Sequence, residues 1–346
     1  MKHKPTIKDI AGLAKVSATA VSMALNNRPG VSGKTRQKIL RIAKKLNYQP
    51  NFAAKSLISN RSYTIGLIIN NITDPFYPEI ALGIEEKANE LDYSVLLCNT
   101  NRSMDGERRS IDTLRGKGVD GIIIATVTVD DPNIEALVRD RFPFVLVNRY
   151  STDPMFENKL DYVVLDNHAC GYKAIKHFYR MGHDQVAMIT GALNTSTGMM
   201  RTRGATQAMK DLGMETDHKM VVECGYDRDR AYQAAKRLVA AKNRPSAFFA
   251  QDDHMALGVR EAVLEEGLRI PEDIALMGVD DIQMGSLAGV ELTTISQNKY
   301  EMGAMGVEIL VHKIERGGPQ MVNKVVLEAS LIRRKSCGYH LRGYVR

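Results

Sequence analysis

The sequence predicts a small all-α head followed by an α/β body of two doubly wound parallel-sheet lobes. Three observations support this fold class. The first fifty residues show helical apolar spacing, whereas from Tyr63 onward short apolar runs alternate with amphipathic stretches. That alternation occurs as two successive series. A chain of 346 residues is long enough for such a multi-domain arrangement.

The charge is concentrated at one end of the chain. Residues 1–61 contain thirteen Lys or Arg and a single acid, Asp9, which gives +12. The remaining residues carry −5, for a total of +7. A basic head on a mildly acidic body is typical of a nucleic-acid-binding protein. A solvated basic tail is the alternative, but such a tail would lack apolar periodicity.

The head contains three short helical patterns. Thr6 with Asp9 forms a capping box before an apolar face that ends at Ala14. Ser17 can cap a second helix, which runs to Asn26. Ser32 can cap a third, with apolar positions up to Leu46.

Two short helices joined by a three- to four-residue turn and closed by a third predict a helix-turn-helix module. The second helix, "ATAVSMAL", is small enough to enter a major groove, and Ala18 and Thr19 stand at its leading end. An ordinary three-helix cap on a larger domain is the alternative that composition leaves open.

The body divides into strands and helices of the kind found in parallel sheets covered on both faces. "YTIGLIIN", "SVLLCNT", "VDGIIIAT" and "FVLVNR" are the predicted strands of the first series, and "YVVLDN", "QVAMITG", "AFFAQ" and "IALMGVD" those of the second. Ligands of open α/β sheets bind at the carboxyl ends of the strands. The polar residues at those ends are candidates for the site, although each alone is equally suited to capping a helix or a turn. They are Asn70, Asn71, Asn99, Asn148, Arg149, Asp166, Asp252, Asp253, Asp280 and Asp281.

The sequence argues against several other classes of protein. It has no GxGxxG after the first strand, no Walker loop, no GxSxG and no HExxH, so we expect no enzymatic activity. We expect no cofactor and no metal, because the histidines are scattered. No apolar run is as long as a membrane span, no export signal follows the first lysines, and the four cysteines form no CxxC pair. We therefore expect a cytoplasmic protein with reduced thiols and not a transport protein.

The head resembles the N-terminal module of the lactose/galactose repressor (LacI/GalR) family. The resemblance covers "TIKDIAGLAKVSATAVSMALNN" and "VSGKTRQKILRIAKKLNYQPNFAAKSL" without gaps. It implies base contacts from the second helix and phosphate or capping contacts around it. The family usually has Thr at position 20 and a polar or basic residue at position 23, so the operator cannot be named. The implied DNA-binding residues are Thr6, Ser17, Ala18, Thr19, Ser22, Met23, Asn26 and Ser32.

The same resemblance assigns residues 51–62 as a hinge that folds when two copies meet over the minor groove. Leu57 holds the position of the leucine that wedges into the central base step. Asn51, Ala54 and Lys55 are the accompanying hinge contacts.

The body resembles the effector domain of this family, which is similar to periplasmic sugar-binding proteins. "DPFYPEIALGIEE", "RMGHDQVAMITG" and "RPSAFFAQDDHMALGV" are among the matching stretches. The resemblance implies a sugar or sugar derivative as effector. Asn148 stands where sugar-responsive members have Asp, and Thr195 where purine-responsive members have Arg, which disfavours a purine. The implied effector-binding residues are Phe76, Tyr77, Asn148, Arg149, Thr197, Arg201, Tyr226, Asp253 and Asp280.

These observations together predict a DNA-binding regulator that binds a palindromic operator as a homodimer and responds to a small molecule. We expect a repressor of carbohydrate metabolism genes, although the residues leave activation, and the direction of the ligand response, open. The tail after Arg334 has no leucine heptads, so no tail-mediated tetramer is expected. The predicted domains are 1–50 for the head, 51–62 for the hinge and 63–346 for the body. Lobe 1 is predicted at about 63–161 and 293–323, and lobe 2 at about 162–292 and 324–340.

Overall fold

The computed structural model describes residues 5–25, 27–48, 61–215, 217–316 and 321–342. The chain forms two compact units, Met1–Ser62 and Tyr63–Arg346, which we call the head and the body.

The head is a three-helix core, as predicted. Its helices are α1 Ile7–Ala14, α2 Ala18–Leu25 and α3 Gly33–Lys45. Thr6 and Asp9 form the expected capping box of α1, and Ser32 caps α3. Ile10, Val21 and Ile39, one from each helix, are completely buried against one another. The apolar spacing read from the sequence therefore defines this core.

The body consists of two six-stranded sheets with helices packed on them. The strands are β1 Thr64–Ile69, β2 Ser94–Asn99, β3 Gly121–Ile124, β4 Phe144–Val147, β5 Tyr162–Leu165, β6 Val186–Thr190, β7 Val221–Glu223, β8 Ala247–Ala250, β9 Ala275–Asp280, β10 Thr293–Ser296, β11 Lys324–Leu327 and β12 Ser330–Ile332. The helices are α4 Tyr77–Glu90, α5 Met104–Gly116, α6 Pro132–Arg139, α7 Asn167–Arg180, α8 Ser196–Asp211, α9 Arg228–Val239, α10 Asp253–Glu265, α11 Lys299–Arg316 and α12 Tyr339–Arg342.

The two sheets define two lobes of the predicted doubly wound type. The sheet of lobe 1 has the order β11-β5-β4-β3-β1-β2, and that of lobe 2 the order β12-β10-β9-β8-β6-β7. All pairings are parallel except that of β12 with β10. The carboxyl ends of the parallel strands of each sheet therefore share one edge, where polar side chains from different strands can converge.

The predicted lobe boundaries are wrong at three strands. β5 and β11 were assigned to lobe 2, but β5 pairs with β4 and β11 pairs with β5, so both belong to lobe 1. β10 was assigned to lobe 1, but it pairs with β9 in lobe 2. The backbone groups of a strand in a sheet must all find partners, so a strand cannot be divided between two lobes. The chain therefore passes from one lobe to the other only after each of these strands has ended.

Helices of the body approach one another so closely at glycines that their backbones touch. In lobe 2, a Cβ on Gly204 of α8 would overlap the carbonyl oxygen of His168 in α7, and one on Gly171 that of Arg201. In lobe 1, a Cβ on Gly83 of α4 would overlap the carbonyl oxygen of Tyr300 in α11. Glycine at these positions sets the distance between the helices and therefore the position of the side chains that they carry.

Within the described residues, no helix combines the length and the apolar character needed to cross a membrane. Cys98, Cys170, Cys224 and Cys337 are free thiols, as predicted, and all but Cys98 are buried.

We expect Gly204→Ala to destabilise the body by about 1–3 kcal/mol, because the added methyl group forces α7 and α8 apart. Gly116→Ala in α5 is the matched control, since nothing lies within 4 Å of a Cβ at that position. The control should be neutral or slightly stabilising. Urea unfolding of both variants measures the effect, and equal stability of the two would contradict close packing at Gly204.

Candidate functional site

A polar cavity lies where the strand ends of the two lobes face each other. We call it the inner cavity; its open volume, part of which is continuous with solvent, is about 300 Å³. Its walls combine three carboxylates, two arginines, amides and aromatic rings. The lining residues are Asp74, Phe76, Tyr77, Asn148, Arg149, Thr197, Arg201, Tyr226, Asp252, Asp280 and Gln297.

The aromatic wall comes from lobe 1, at the start of α4. The rings of Phe76 and Tyr77 meet edge to face, with centroids 5.2 Å apart. Asn70, at the end of β1, donates a hydrogen bond of 3.2 Å to the Tyr77 hydroxyl. Burial raises the pKa of Tyr77 to about 12, so this phenol stays neutral at physiological pH.

Arg201 forms the centre of the lobe 2 wall. It reaches from α8 and is only 2% exposed. Its Nε donates to Asn167 Oδ1 at 2.8 Å, and its Nη1 donates to the carbonyl of Gln251 and lies 4.0 Å from Asp280 Oδ1. Because Asn167 begins α7, Gln251 follows β8 and Asp280 ends β9, one guanidinium connects three segments of the body.

Asp280 ends β9 in an unusual backbone conformation, with φ at +117°. A non-glycine residue adopts such a φ only where its surroundings enforce it. Gln297 Nε2 donates to its carboxylate, and the ammonium of Lys299 donates to its carbonyl and to that of Asp281. Lys299 also pairs with Glu79 of α4 at 3.0 Å, so the strand end is connected to lobe 1.

The carboxylates of lobe 2 are buried. Burial raises the pKa of Asp252 to about 7, with nearby Asp74 adding to the effect, and raises the pKa of Asp280 well above its usual range. Burial therefore favours the protonated forms of these groups, which can donate as well as accept hydrogen bonds.

Arg149 and Tyr226 meet across the cavity from opposite lobes. The guanidinium carbon lies 5.1 Å from the centre of the tyrosine ring, a cation–π distance. Among the described residues, the buried Nε of Arg149 has no hydrogen-bond partner. The Tyr226 hydroxyl is 2.6 Å from Thr197 Oγ1, which is 3.1 Å from Thr195 Oγ1. Because the Nε of Arg149 has no partner in the described part of the chain, this arginine can donate a hydrogen bond to a bound molecule.

The lobes are held together by direct contacts beside the cavity. Val129 N–H donates to the carbonyl of Asn194 at 2.9 Å, and Arg102 donates to the carbonyl of Tyr226 at 2.7 Å. The Tyr150 N–H donates to the hydroxyl of Ser196 at 3.1 Å. These contacts describe a closed arrangement of the lobes.

Most of the predicted effector residues line the inner cavity. Asp253 is the exception: its carboxylate accepts from Thr294 Oγ1 at 2.7 Å and from Ile282 N–H at 2.9 Å, beside the cavity and outside its lining. The neighbouring Asp252 lines the cavity instead. The predicted effector residues that line the cavity are Phe76, Tyr77, Asn148, Arg149, Thr197, Arg201, Tyr226 and Asp280.

Two lining residues escaped the sequence analysis. Gln297 follows β10, whose short "TTIS" was not recognised as a strand. Asp74 lies in the loop before α4, at the start of a stretch that resembles the family, but neither that resemblance nor a strand end marked it as a site residue. If every polar residue directly after a short run rich in β-branched residues were taken as a candidate, Gln297 would be included.

Other strand-end candidates form hydrogen bonds or ion pairs outside the inner cavity. Asp166 caps α7, and Asn71 accepts from Thr73. Asn99 accepts from Ile72 N–H, and Asp281 pairs with Arg334 at 2.6 Å. These residues shape the sheet edge without lining the inner cavity.

The leading end of α2 is accessible in the head. Ser17, Ala18 and Thr19 are exposed, and the Ser17 hydroxyl accepts from Ala20 N–H at 3.1 Å as an N-cap. Ser22 is half-buried, and so is Met23, whose sulfur lies near Gly30. The predicted contacts Asn26, Asn51, Ala54, Lys55 and Leu57 lie outside the described residues.

Comparison with known proteins agrees with both parts of this architecture. Residues 62–333 match the family described as periplasmic binding proteins and sugar binding domain of the LacI family, and residues 6–51 match the lacI family of bacterial regulatory proteins. The chain belongs to the LacI family. It is a DNA-binding transcriptional regulator whose body is a domain of the sugar-binding type.

Individual relatives match over nearly the whole chain. The HTH-type transcriptional regulator DegA of Bacillus subtilis is 33% identical, over 96% of this chain and 98% of its own length. The ribose operon repressor of Escherichia coli is 34% identical, over 89% and 93% respectively. A solved complex of the transcriptional regulator CelR with cellobiose is 30% identical, covers 96% of this chain and 99% of its own, and superimposes with a TM-score of 0.74.

We expect the buried carboxyl of Asp253 to make stability depend on pH. Burial raises its pKa in the folded body to about 7, whereas an unfolded aspartate titrates near 4. The folded state thus binds more protons between these values, and this group lowers stability as pH rises from about 4 to about 7. Asp253→Asn should gain stability relative to the wild type by up to ~1.4 kcal/mol per pH unit in that window.

Urea unfolding at pH 5, 6, 7 and 8 measures this difference. Asp273→Asn is the control, because Arg269 lowers the pKa of Asp273 to about 2 and its contribution should be constant over the range. A pH-independent difference for Asp253→Asn would show that its carboxyl is ionised throughout.

Proposed function

We propose that this protein is a repressor of carbohydrate metabolism genes that binds a palindromic operator as a homodimer under the control of a sugar. The observation that carries the proposal is the inner cavity, lined by carboxylates, arginines and aromatic rings between the lobes of a chain with a helix-turn-helix head. The ribose operon repressor and the CelR–cellobiose complex are similar proteins whose names indicate repression and sugar binding.

The chemistry of the inner cavity suits a polyhydroxyl molecule. Asp252 and Asp280 can accept hydrogen bonds from hydroxyl groups, and Arg149 can donate them. Phe76 offers an apolar ring surface against which the C–H face of a sugar can pack. A strongly anionic molecule would have to approach three carboxyl groups, which disfavours it.

Sugar binding can change the affinity for DNA because residues of both lobes contact the sugar. A ligand that bridges Asn148 of lobe 1 and Thr197 of lobe 2 stabilises the closed arrangement and can shift the equilibrium by its differential affinity for the two states. The link from Asp280 through Lys299 to Glu79 gives a physical route from the cavity to α4.

Operator recognition needs two heads, because one α2 contacts few base pairs. In our proposal the exposed Ala18 and Thr19 meet base edges, and Leu57 of each subunit wedges into the minor groove at the centre. The protein then acts in the bacterial cytoplasm, where its operator is located.

Selection of random duplex DNA by the purified full chain tests the proposal. Enrichment of a palindrome with a fixed central step, at moderate salt, is the expected result. Retention of DNA without any enriched sequence, with and without sugars, would reduce the head to a phosphate-binding module and reject sequence-specific regulation.

We expect Leu57→Ala to weaken binding to the selected palindrome by about tenfold or more, because burying a leucine side chain contributes roughly 1.5–3 kcal/mol. Sugar binding should be unchanged. Fluorescence anisotropy of labelled duplex and calorimetric titration measure the two properties. Equal loss of both would mean that Leu57 supports the fold and has no separate role at the DNA.

We expect Arg149→Met to lower sugar affinity by about tenfold, because each lost charged hydrogen bond costs roughly 1.5–3 kcal/mol. Operator affinity without sugar should stay within about twofold. Arg139→Met, on the surface of α6 with a side chain 70% exposed, is the control and should change neither. An unchanged sugar response in Arg149→Met would remove that residue from the site.

A further inference from the structure

A second cavity opens beside the inner one and shares two of its walls. This outer cavity has an open volume of about 570 Å³, part of it continuous with solvent, and, like the inner cavity, it is lined by Arg149 and Tyr226. It extends to the first turn of α5 in lobe 1 and to the loop before α8 in lobe 2. The two cavities are therefore adjacent compartments of one cleft.

The outer cavity contains polar groups that the fold does not use. Thr100 is 3% exposed, and its hydroxyl has no hydrogen-bond partner among the described residues. The buried Nε of Arg149, at the boundary between the compartments, is likewise without a partner there. Buried donors and acceptors are nearly always satisfied in folded proteins, so these two indicate a missing partner.

The remaining lining is polar on both sides of the cleft and balanced in charge. The carboxyl of Glu107 is 3% exposed, and it accepts from Thr126 and, at 3.0 Å, from Asn133. Burial and the neighbouring Asp131 raise the pKa of Glu107 to about 7. Arg102 is already engaged with the carbonyl of Tyr226. A phosphate or carboxylate here would meet two buried acids.

The outer cavity is the larger of the two compartments, and it offers polar groups in addition to those of the inner cavity. The outer cavity adds hydroxyl, amide and carboxyl groups in the pattern that suits a second hydroxylated ring.

We propose that the effector is a two-unit saccharide, one unit of which binds in the inner cavity while the second binds in the outer cavity against Thr100 and Glu107. This inference rests on the proposed sugar control and names its ligand class. Arg149 lies between the two units and donates to the oxygen atoms near their linkage.

Calorimetric titration of the full chain with matched sugars tests the inference. The probes are neutral disaccharides, including cellobiose, maltose, lactose and trehalose, each compared with its constituent monosaccharides. At least one disaccharide should bind ten or more times more tightly than either of its parts. If a monosaccharide binds as tightly as every disaccharide that contains it, the two-unit ligand is rejected while sugar control remains.

Met104→Trp should collapse the preference for the disaccharide. Met104 lines the outer cavity in the first turn of α5 and is 46% exposed, so a larger ring can fill the compartment without entering the core. The affinity ratio between disaccharide and monosaccharide should fall towards one. Met155→Trp adds the same bulk at another exposed methionine of lobe 1 and should leave the ratio unchanged.

Thr100→Val gives a second, nearly isosteric test. Removing one hydrogen bond should weaken disaccharide binding about two- to tenfold, and the melting temperature should not fall, since the hydroxyl has no described partner to lose. A preference that survives in both Met104→Trp and Thr100→Val would overturn the assignment of the outer cavity. Failure of every neutral sugar to bind would reject the sugar effector itself.

Discussion

The buried guanidinium of Arg201 is the interaction on which the geometry of the site depends. A charge that is only 2% exposed must be compensated, and here the compensation comes from backbone and side-chain groups at the ends of separate segments. Those partners fix the edge of the lobe 2 sheet before any ligand arrives. The contact of Gly171 with the Arg201 backbone holds the helix that carries it in place.

That arrangement bears on the charge of the lobe 2 acids, because burial disfavours the ionised form of each. One arginine cannot offset the burial of Asp252, Asp253 and Asp280, and each of their carboxyl groups has a raised pKa. A site of this kind is less stable than an apolar one of the same volume. Lower stability is compatible with a binding function, because carboxyl groups that can both donate and accept hydrogen bonds are suited to hydroxyl groups.

The sequence predicted the architecture because periodicity and strand-end polarity are local signals. Arg149 and Asp280 could be placed at the site because they stand at strand ends, whereas Phe76 was implied by the family resemblance. The sequence could not separate Asp252 from Asp253, since adjacent residues at a strand end point in different directions that depend on the packing of β9 and β10. Lobe membership of β5, β10 and β11 was also hidden, because long-range pairing leaves no trace in short apolar runs.

The direct contact of α4 with α11 has a mechanical consequence. At Gly83 and at Gly303 the two helices meet backbone to backbone, with no layer of side chains that could repack between them. α11 begins at Lys299, which holds the carbonyl of Asp280, and α4 begins beside the aromatic wall. The pair therefore behaves as one stiff element, and the first turns of both helices lie at the inner cavity. A small rotation of this element at the cavity is not absorbed by repacking, and the displacement that it causes increases with distance along the helices.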